Sequence, residues 1–397
     1  MTRMLLTVFG GICLLLFPAC EREGATVVPS AERTLLVYMV ADNSLGYSQY
    51  DRENIDMLLQ AVGDSDPAPG RIVIYRDPAG EAPRLLEVVR NSSGVGELRT
   101  LKGYGDQNSL DPSVMGVVLG DVRTLAPGVS YGLILWSHAT GWLPQGSGYT
   151  RSSLLRKNAA SGGEDMPLTR TFGQDGSFEM ELSDLAAALP DGMFDYIVID
   201  ACFMGEAEVA YALRNKADYM VASAAEVLAN GLPYDRIVSD LLAPQPRLSE
   251  VCRKFFEYYD ARSGPFRTAT TALYDLGKME RLAEAMGRIT ERYRSQIPLL
   301  DRGAIQHFDR YSRHTMFDLE DVVSQLVPAS DPLLAEFGTC LDSVVLYKRS
   351  TEKVMSAVTV ETFCGMSVYV PYADYADLNA LYAGTAWYAR VYGNSGR

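Results

Sequence analysis

Residues 196–211, YIVIDACFMGEAEVAY, decide the fold. The run from Tyr196 to Ile199 is short, apolar and β-branched, and the small and helix-favouring residues after it change the period, so it reads as a buried strand, a turn and a helix. Residues 131–142, YGLILWSHATGW, read the same way and end in His138. In open α/β sheets the binding crevice lies outside the carboxyl ends of the strands, which is where Cys202 and His138 would sit. If the two strands are neighbours, thiol and imidazole can meet across about 4.8 Å. That pair is the minimum equipment for a cysteine nucleophile with a histidine base.

Working outward, TLLVYMVA (34–41), RIVIYRDP (71–78) and YMVASAAE (219–226) are further strand-like runs separated by helical patterns. Within GQDGSFEMELSDLAAALP (173–190), Ser183 is the expected N-cap of one such helix. The alternation predicts an α/β architecture with a mostly parallel central sheet covered on both faces. From about residue 231 the chain turns Pro-rich and then amphipathic over 247–262 and 277–296, predicting a mainly helical C-terminal part. ATTALYDL (269–276) and GMSVYVPY (365–372) are candidate extra strands of the same sheet. The segment from Leu143 to Arg170 is a long Gly-, Ser- and base-rich loop, a length usually associated with function or mobility.

A chain of 397 residues, 47% hydrophobic, has room for one large core or two domains and is not disordered. Its net charge of −14 argues against nucleic acid as a partner and is compatible with basic peptides. Arg3 precedes LLTVFGGICLLLFPAC (5–20), an apolar run too short to span a membrane, so residues 1–19 read as a signal peptide. Ala19-Cys20 resembles a bacterial lipobox, which makes Cys20 the expected lipidation site and 20–32 a polar tether. An ordinary secretory signal cut nearby is the alternative. The expected location is the bacterial cell envelope, lipid-anchored on the periplasmic or outer face, or else the medium. Of six cysteines, Cys13 and Cys20 belong to the leader, leaving Cys202, Cys252, Cys340 and Cys364 for up to two disulfides. Cys202 has the best claim to be free, at a strand end beside a crevice. No spacing suggests a zinc site.

TLLVYMVADNSLGY (34–47), LILWSHATGW (133–142) and VIDACFMGEAEVAY (198–211) resemble, in order, the three signature segments of the clostripain-type cysteine peptidases, relatives of caspases, legumain, gingipains and separase. Weaker echoes follow in HTMFDLEDV (314–322) and GMSVYVPY. The resemblance implies a caspase-like three-layer sandwich, with the catalytic domain over 33–235 and the helical part over 236–397. It implies an endopeptidase that cuts after Arg or Lys through a Cys202–His138 dyad. The backbone N–H groups of Ala139 and Cys202 would hold the oxyanion. Relatives usually carry Gly after the histidine; Ala139 keeps the N–H and serves provided the backbone needs no positive φ. Asp200 would form the base of the pocket for a basic side chain, with Ser223 and Glu226 as candidates for its opposite wall. Structurally, Asp200 could instead accept backbone N–H groups at a strand end, and Asp42 and Asn43 read as an Asx-type turn.

The family is also activated by cuts in loops near the site. Arg151, Arg156, Lys157 and Arg170 are residues of the type an acidic pocket selects, although the loop could equally be a plain surface segment. No third catalytic residue is identifiable. His307 and His314 read as solvated or packing residues of a polar helical stretch. No metal or other cofactor is expected, with a calcium requirement left open. The alternative function is a catalytically inactive relative that binds peptide or serves adhesion at the surface.

Overall fold

In the computed structural model, which describes residues 28–64, 70–144, 172–311 and 313–393, the strand-like runs assemble into one nine-stranded sheet. Its strands are β1 (Ala31–Ala41), β2 (Gly70–Pro78), β3 (Arg84–Arg90), β4 (Gly96–Gly103), β5 (Gly128–Trp136), β8 (Phe194–Asp200), β9 (Ala217–Ala222), β10 (Thr270–Asp275) and β12 (Val345–Ser350). A small hairpin, β6 (Phe172–Asp175) and β7 (Phe178–Met180), and the two-residue β11 (Phe317–Asp318) lie outside it. The order is β12-β10-β9-β8-β5-β1-β2-β3-β4. The five central strands, β9 to β2, are parallel, and each flank ends in an antiparallel pair.

β1, β5 and β8 are continuous apolar runs because helices cover both of their faces. One core gathers the helices Pro112–Leu125, Ala207–Ala212 and Met279–Tyr293; the other gathers Tyr50–Asp64, Tyr234–Leu241 and Leu248–Asp260. In Leu248–Asp260 the buried residues Leu248, Val251, Cys252, Phe255 and Tyr259 form a single stripe facing the sheet. The result is the three-layer, caspase-like sandwich.

Residues 236–397 supply the last two strands as well as helices. ATTALYDL forms β10, but GMSVYVPY does not join the main sheet: Ser367–Val368 pairs with β11. Ser183 is not an N-cap either. The helix Leu182–Ala188 starts at Leu182, whose side chain faces the core with Leu185, so Glu181 takes the cap position. The expected disulfides are absent among the described residues. Cys252 and Cys364 are buried in the cores on opposite faces of the sheet, which keeps them apart, and neither they nor Cys202 and Cys340 form a disulfide. No described helix is long and apolar enough to cross a membrane, and Cys20 with the rest of residues 1–27 lies outside the described residues.

Candidate active site

The register pairs Trp136 of β5 with Asp200 of β8, so the chains leaving these strands carry His138 and Cys202 side by side. β1 flanks β5 on the other side and delivers Asn43 and Ser44 to the same end. Asn43 makes the expected Asx turn. Its Oδ1 accepts the Leu45 N–H at 2.9 Å, while its amide donates to the carbonyls of Val40 at 2.9 Å and Gln174 at 2.8 Å. This fixes Ser44, whose Oγ lies 3.1 Å from His138 Nε2. Ser44 is the orienting partner of the imidazole that the sequence did not disclose. Burial pushes the His138 pKa down to about 4, so the ring is a free base at neutral pH.

The turn after His138 is held from beneath. Trp142 N–H donates to Glu206 Oε2 at 2.7 Å, and Gly141, at φ +68°, passes so close to that carboxyl that a Cβ would lie 2.0 Å from Oε2. Burial and the neighbouring Glu208 raise the Glu206 pKa well above the usual carboxyl range, and its Oε2 holds the turn through the Trp142 N–H. Ala139 is buried, bridged to Phe172, and is not in the left-handed region, so the condition on its missing glycine is met.

Cys202 sits in a turn stitched to the segment after β9. Phe203 N–H donates to Ala225 O at 3.0 Å, Gly205 N–H to Ser223 O at 2.7 Å, and Val227 N–H points at Cys202 Sγ at 3.3 Å. Phe203 adopts φ +61°, a conformation costing a non-glycine residue about 1–2 kcal/mol. Its ring rests against Tyr311 at 5.8 Å. A cavity of about 330 Å³ is bordered by Ser44, His138, Asp200, Cys202, Val227 and Gly231, among others.

Asp200 is buried, and its Oδ2 accepts both the Leu232 N–H at 3.0 Å and the Tyr234 hydroxyl at 2.7 Å. Burial, opposed by these two bonds, raises its pKa to about 6. Gly231, at φ +65°, packs against it: a Cβ there would stand 2.5 Å from Oδ2. Asp200 therefore combines the strand-end acceptor with a place on the cavity wall.

Ser223 and Glu226 do not form the opposite wall. Ser223 Oγ is buried 2.7 Å from Thr270 Oγ1, and Glu226 is held by both nitrogen arms of Arg310, at 2.5 and 2.6 Å. Both are consumed in structure, and the wall beyond them runs from Val227 to Gly231. Arg151, Arg156, Lys157 and Arg170 lie outside the described residues. His307 and His314 are not helical: they stand in a loop, stacked at 3.5 Å between ring centroids and both bonded to Asp309.

A sequence profile described as the Clostripain family matches residues 37–388. No curated protein matches the chain. The X-ray structure of an inactive zymogen C11 protease from Parabacteroides distasonis is 30% identical, with a TM-score of 0.78 over 92% of this chain and 99% of its own. That of a secreted C11 cysteine protease from Bacteroides thetaiotaomicron, "iotapain", is 28% identical, with a TM-score of 0.75 over 91% of this chain and 100% of its own. A third, a secreted C11 protease of Bacteroides thetaiotaomicron in complex with an irreversible peptide inhibitor, shares the fold at 24% identity, with a TM-score of 0.75 over 91% of this chain and 98% of its own.

Proposed function

This chain belongs to the clostripain family and is a cysteine-type peptidase, and from that premise we propose that Cys202 is its nucleophile, His138 its base, and peptide bonds after Arg or Lys its targets. The observation that carries the reading is a thiol and a free-base imidazole, delivered by adjacent parallel strands, bordering one cavity with a buried carboxyl at its wall.

His138 takes the Cys202 proton as sulfur attacks the scissile carbonyl carbon. The Val227 N–H, aimed at Sγ, favours the charge building on sulfur. The carbonyl π electrons move to oxygen, where the Ala139 and Cys202 N–H groups receive the oxyanion. Collapse breaks the C–N bond, and His138 returns the proton to the leaving amine. Water, deprotonated by the same imidazole, then attacks the thioester and releases the new carboxyl terminus. Asp200, ionised above its pKa of about 6, pairs with the substrate's guanidinium or ammonium group.

The leader at 1–19 and Cys20 support export with a lipid anchor, and the secreted matched relative is in keeping with export. The base-rich loop supports self-cleavage after Arg151, Arg156, Lys157 or Arg170, in keeping with the matched zymogen. Incubation with a peptide library, read by mass spectrometry, tests the reading. Cuts after Arg and Lys are expected from the wild type and none from Cys202→Ala; cuts indifferent to the preceding residue would refute the pocket assignment.

A further inference from the structure

We propose that Arg310 is a positioning residue for the nucleophile: by gripping Glu226 it holds the Glu226–Val227 peptide so that its N–H points at Cys202 Sγ. The inference rests on the reading of Cys202 as the attacking thiol. The contacts run without a gap. Arg310 Nε and Nη2 donate to Glu226 Oε2 and Oε1 at 2.5 and 2.6 Å, the planar fork that fixes a carboxylate in orientation as well as in distance. The Glu226 side chain is buried in this pair. Val227 follows it directly and addresses the sulfur twice: its N–H donates to Sγ at 3.3 Å, and its carbonyl oxygen accepts the thiol hydrogen at 3.6 Å.

A second contact comes from the next residue of the same segment. The Tyr311 ring rests 5.8 Å from that of Phe203, the residue after the nucleophile, which sits at φ +61°. Arg310 and Tyr311 thus brace the turn from both sides, behind Cys202 and before Val227. The segment that carries them is itself closed. Buried Asp309 accepts the N–H groups of Tyr311 at 3.0 Å, Thr315 at 2.8 Å and Met316 at 2.9 Å, and Phe308 N–H donates to Met316 O at 2.9 Å.

The chemistry has a use for this brace. His138 is a free base at neutral pH, so no imidazolium stands beside the resting thiol, and charge on sulfur is met by hydrogen-bond donors and by cations further off. Burial alone would lower the Arg310 pKa, but the bonds to Glu226 outweigh it and the attraction to Cys202 adds to them. The guanidinium therefore stays charged, and the same attraction favours the thiolate.

The test follows iodoacetamide alkylation of Cys202 across pH, read by mass spectrometry of its peptide. Arg310→Met combined with Glu226→Gln leaves no unpaired buried charge. In that variant the pH midpoint should rise by about one unit, a roughly tenfold slower alkylation at neutral pH, as expected for one lost bond to a charged group. On an arginyl peptide kcat should fall about tenfold with KM held within about twofold, a split that general loosening of the fold would not give. Arg310→Lys, which keeps the charge without the fork, should also raise the midpoint, and it decides alone if the double variant misfolds by near-ultraviolet dichroism. Because alkylation needs no peptide, the shift judges Arg310 even if the wild type cuts nothing, an outcome that would refute the proposed function alone. A wild-type midpoint in the folded double variant or in Arg310→Lys would overturn the positioning role.

Discussion

Replacing Tyr234 with Phe removes one of the two donors on Asp200 without touching the cavity's catalytic pair. The lost hydroxyl bond, 2.7 Å to Oδ2, favours the ionised carboxylate, and bonds to charged groups are worth about 1.5–3 kcal/mol. At 1.36 kcal/mol per unit this raises the Asp200 pKa from about 6 by about one to two units. At pH 7 the wild-type carboxylate is then about nine-tenths ionised, and the variant about half to one-tenth. If ionised Asp200 reads the basic side chain, kcat/KM for an arginyl peptide should fall about two- to tenfold at pH 7 and recover by pH 9, because recognition is lost as pH falls through the folded pKa. A peptide with a neutral residue before the cut should show no such displacement. On folding the sign is reversed. A carboxyl raised from 3.8 to about 6 stabilises most when protonated, and that contribution is lost as pH rises through this window. The assay is a pH–rate profile of the matured enzyme on paired peptides. An acid limb for the arginyl peptide that Tyr234→Phe leaves in place would refute the reasoning.

Other outcomes follow from the same geometry. Cys202→Ala and His138→Ala should each abolish turnover at unchanged melting temperature, and the double variant should be no worse than either, since thiol and base act as one unit. Ser44→Ala, which frees His138 Nε2, should lower kcat about tenfold or more while leaving KM within about twofold, a split that loss of fold would not produce. Wild-type chain should convert on standing into two fragments cut after Arg151, Arg156, Lys157 or Arg170, with Cys202→Ala remaining whole on denaturing gels. Full activity without such a cut would remove the maturation step.

What could be read from the sequence was what local composition encodes. β1, β5 and β8 are buried on both faces and write themselves as unbroken apolar runs, so their ends, and with them His138 and Cys202, could be placed in advance. β4 escaped notice because it is an edge strand with largely exposed residues and no period to betray it. Ser44 lies 94 residues from His138, and Arg310 lies 84 from Glu226; such partners are chosen by the closed sheet and leave no mark on either segment. The His307–His314 stretch read as helical because nothing in it breaks a helix. Its backbone is claimed instead by Asp309, whose carboxylate takes three N–H groups that a helix would have used internally.

β5 and β8, the strands that deliver the two reactive side chains, are direct neighbours in the centre of the sheet, paired from Gly132–Tyr196 to Trp136–Asp200. The base-rich loop lies between them in sequence, so a cut there would fall between two strands that are joined directly in the sheet. The two pieces would stay zipped by the ladder and by apolar layers above and below it, behaving as a heterodimer that runs as one species in gel filtration and as two bands in detergent. Continuity of the backbone across that loop would then be dispensable once the sheet has formed, the ladder itself holding His138 and Cys202 at one cavity.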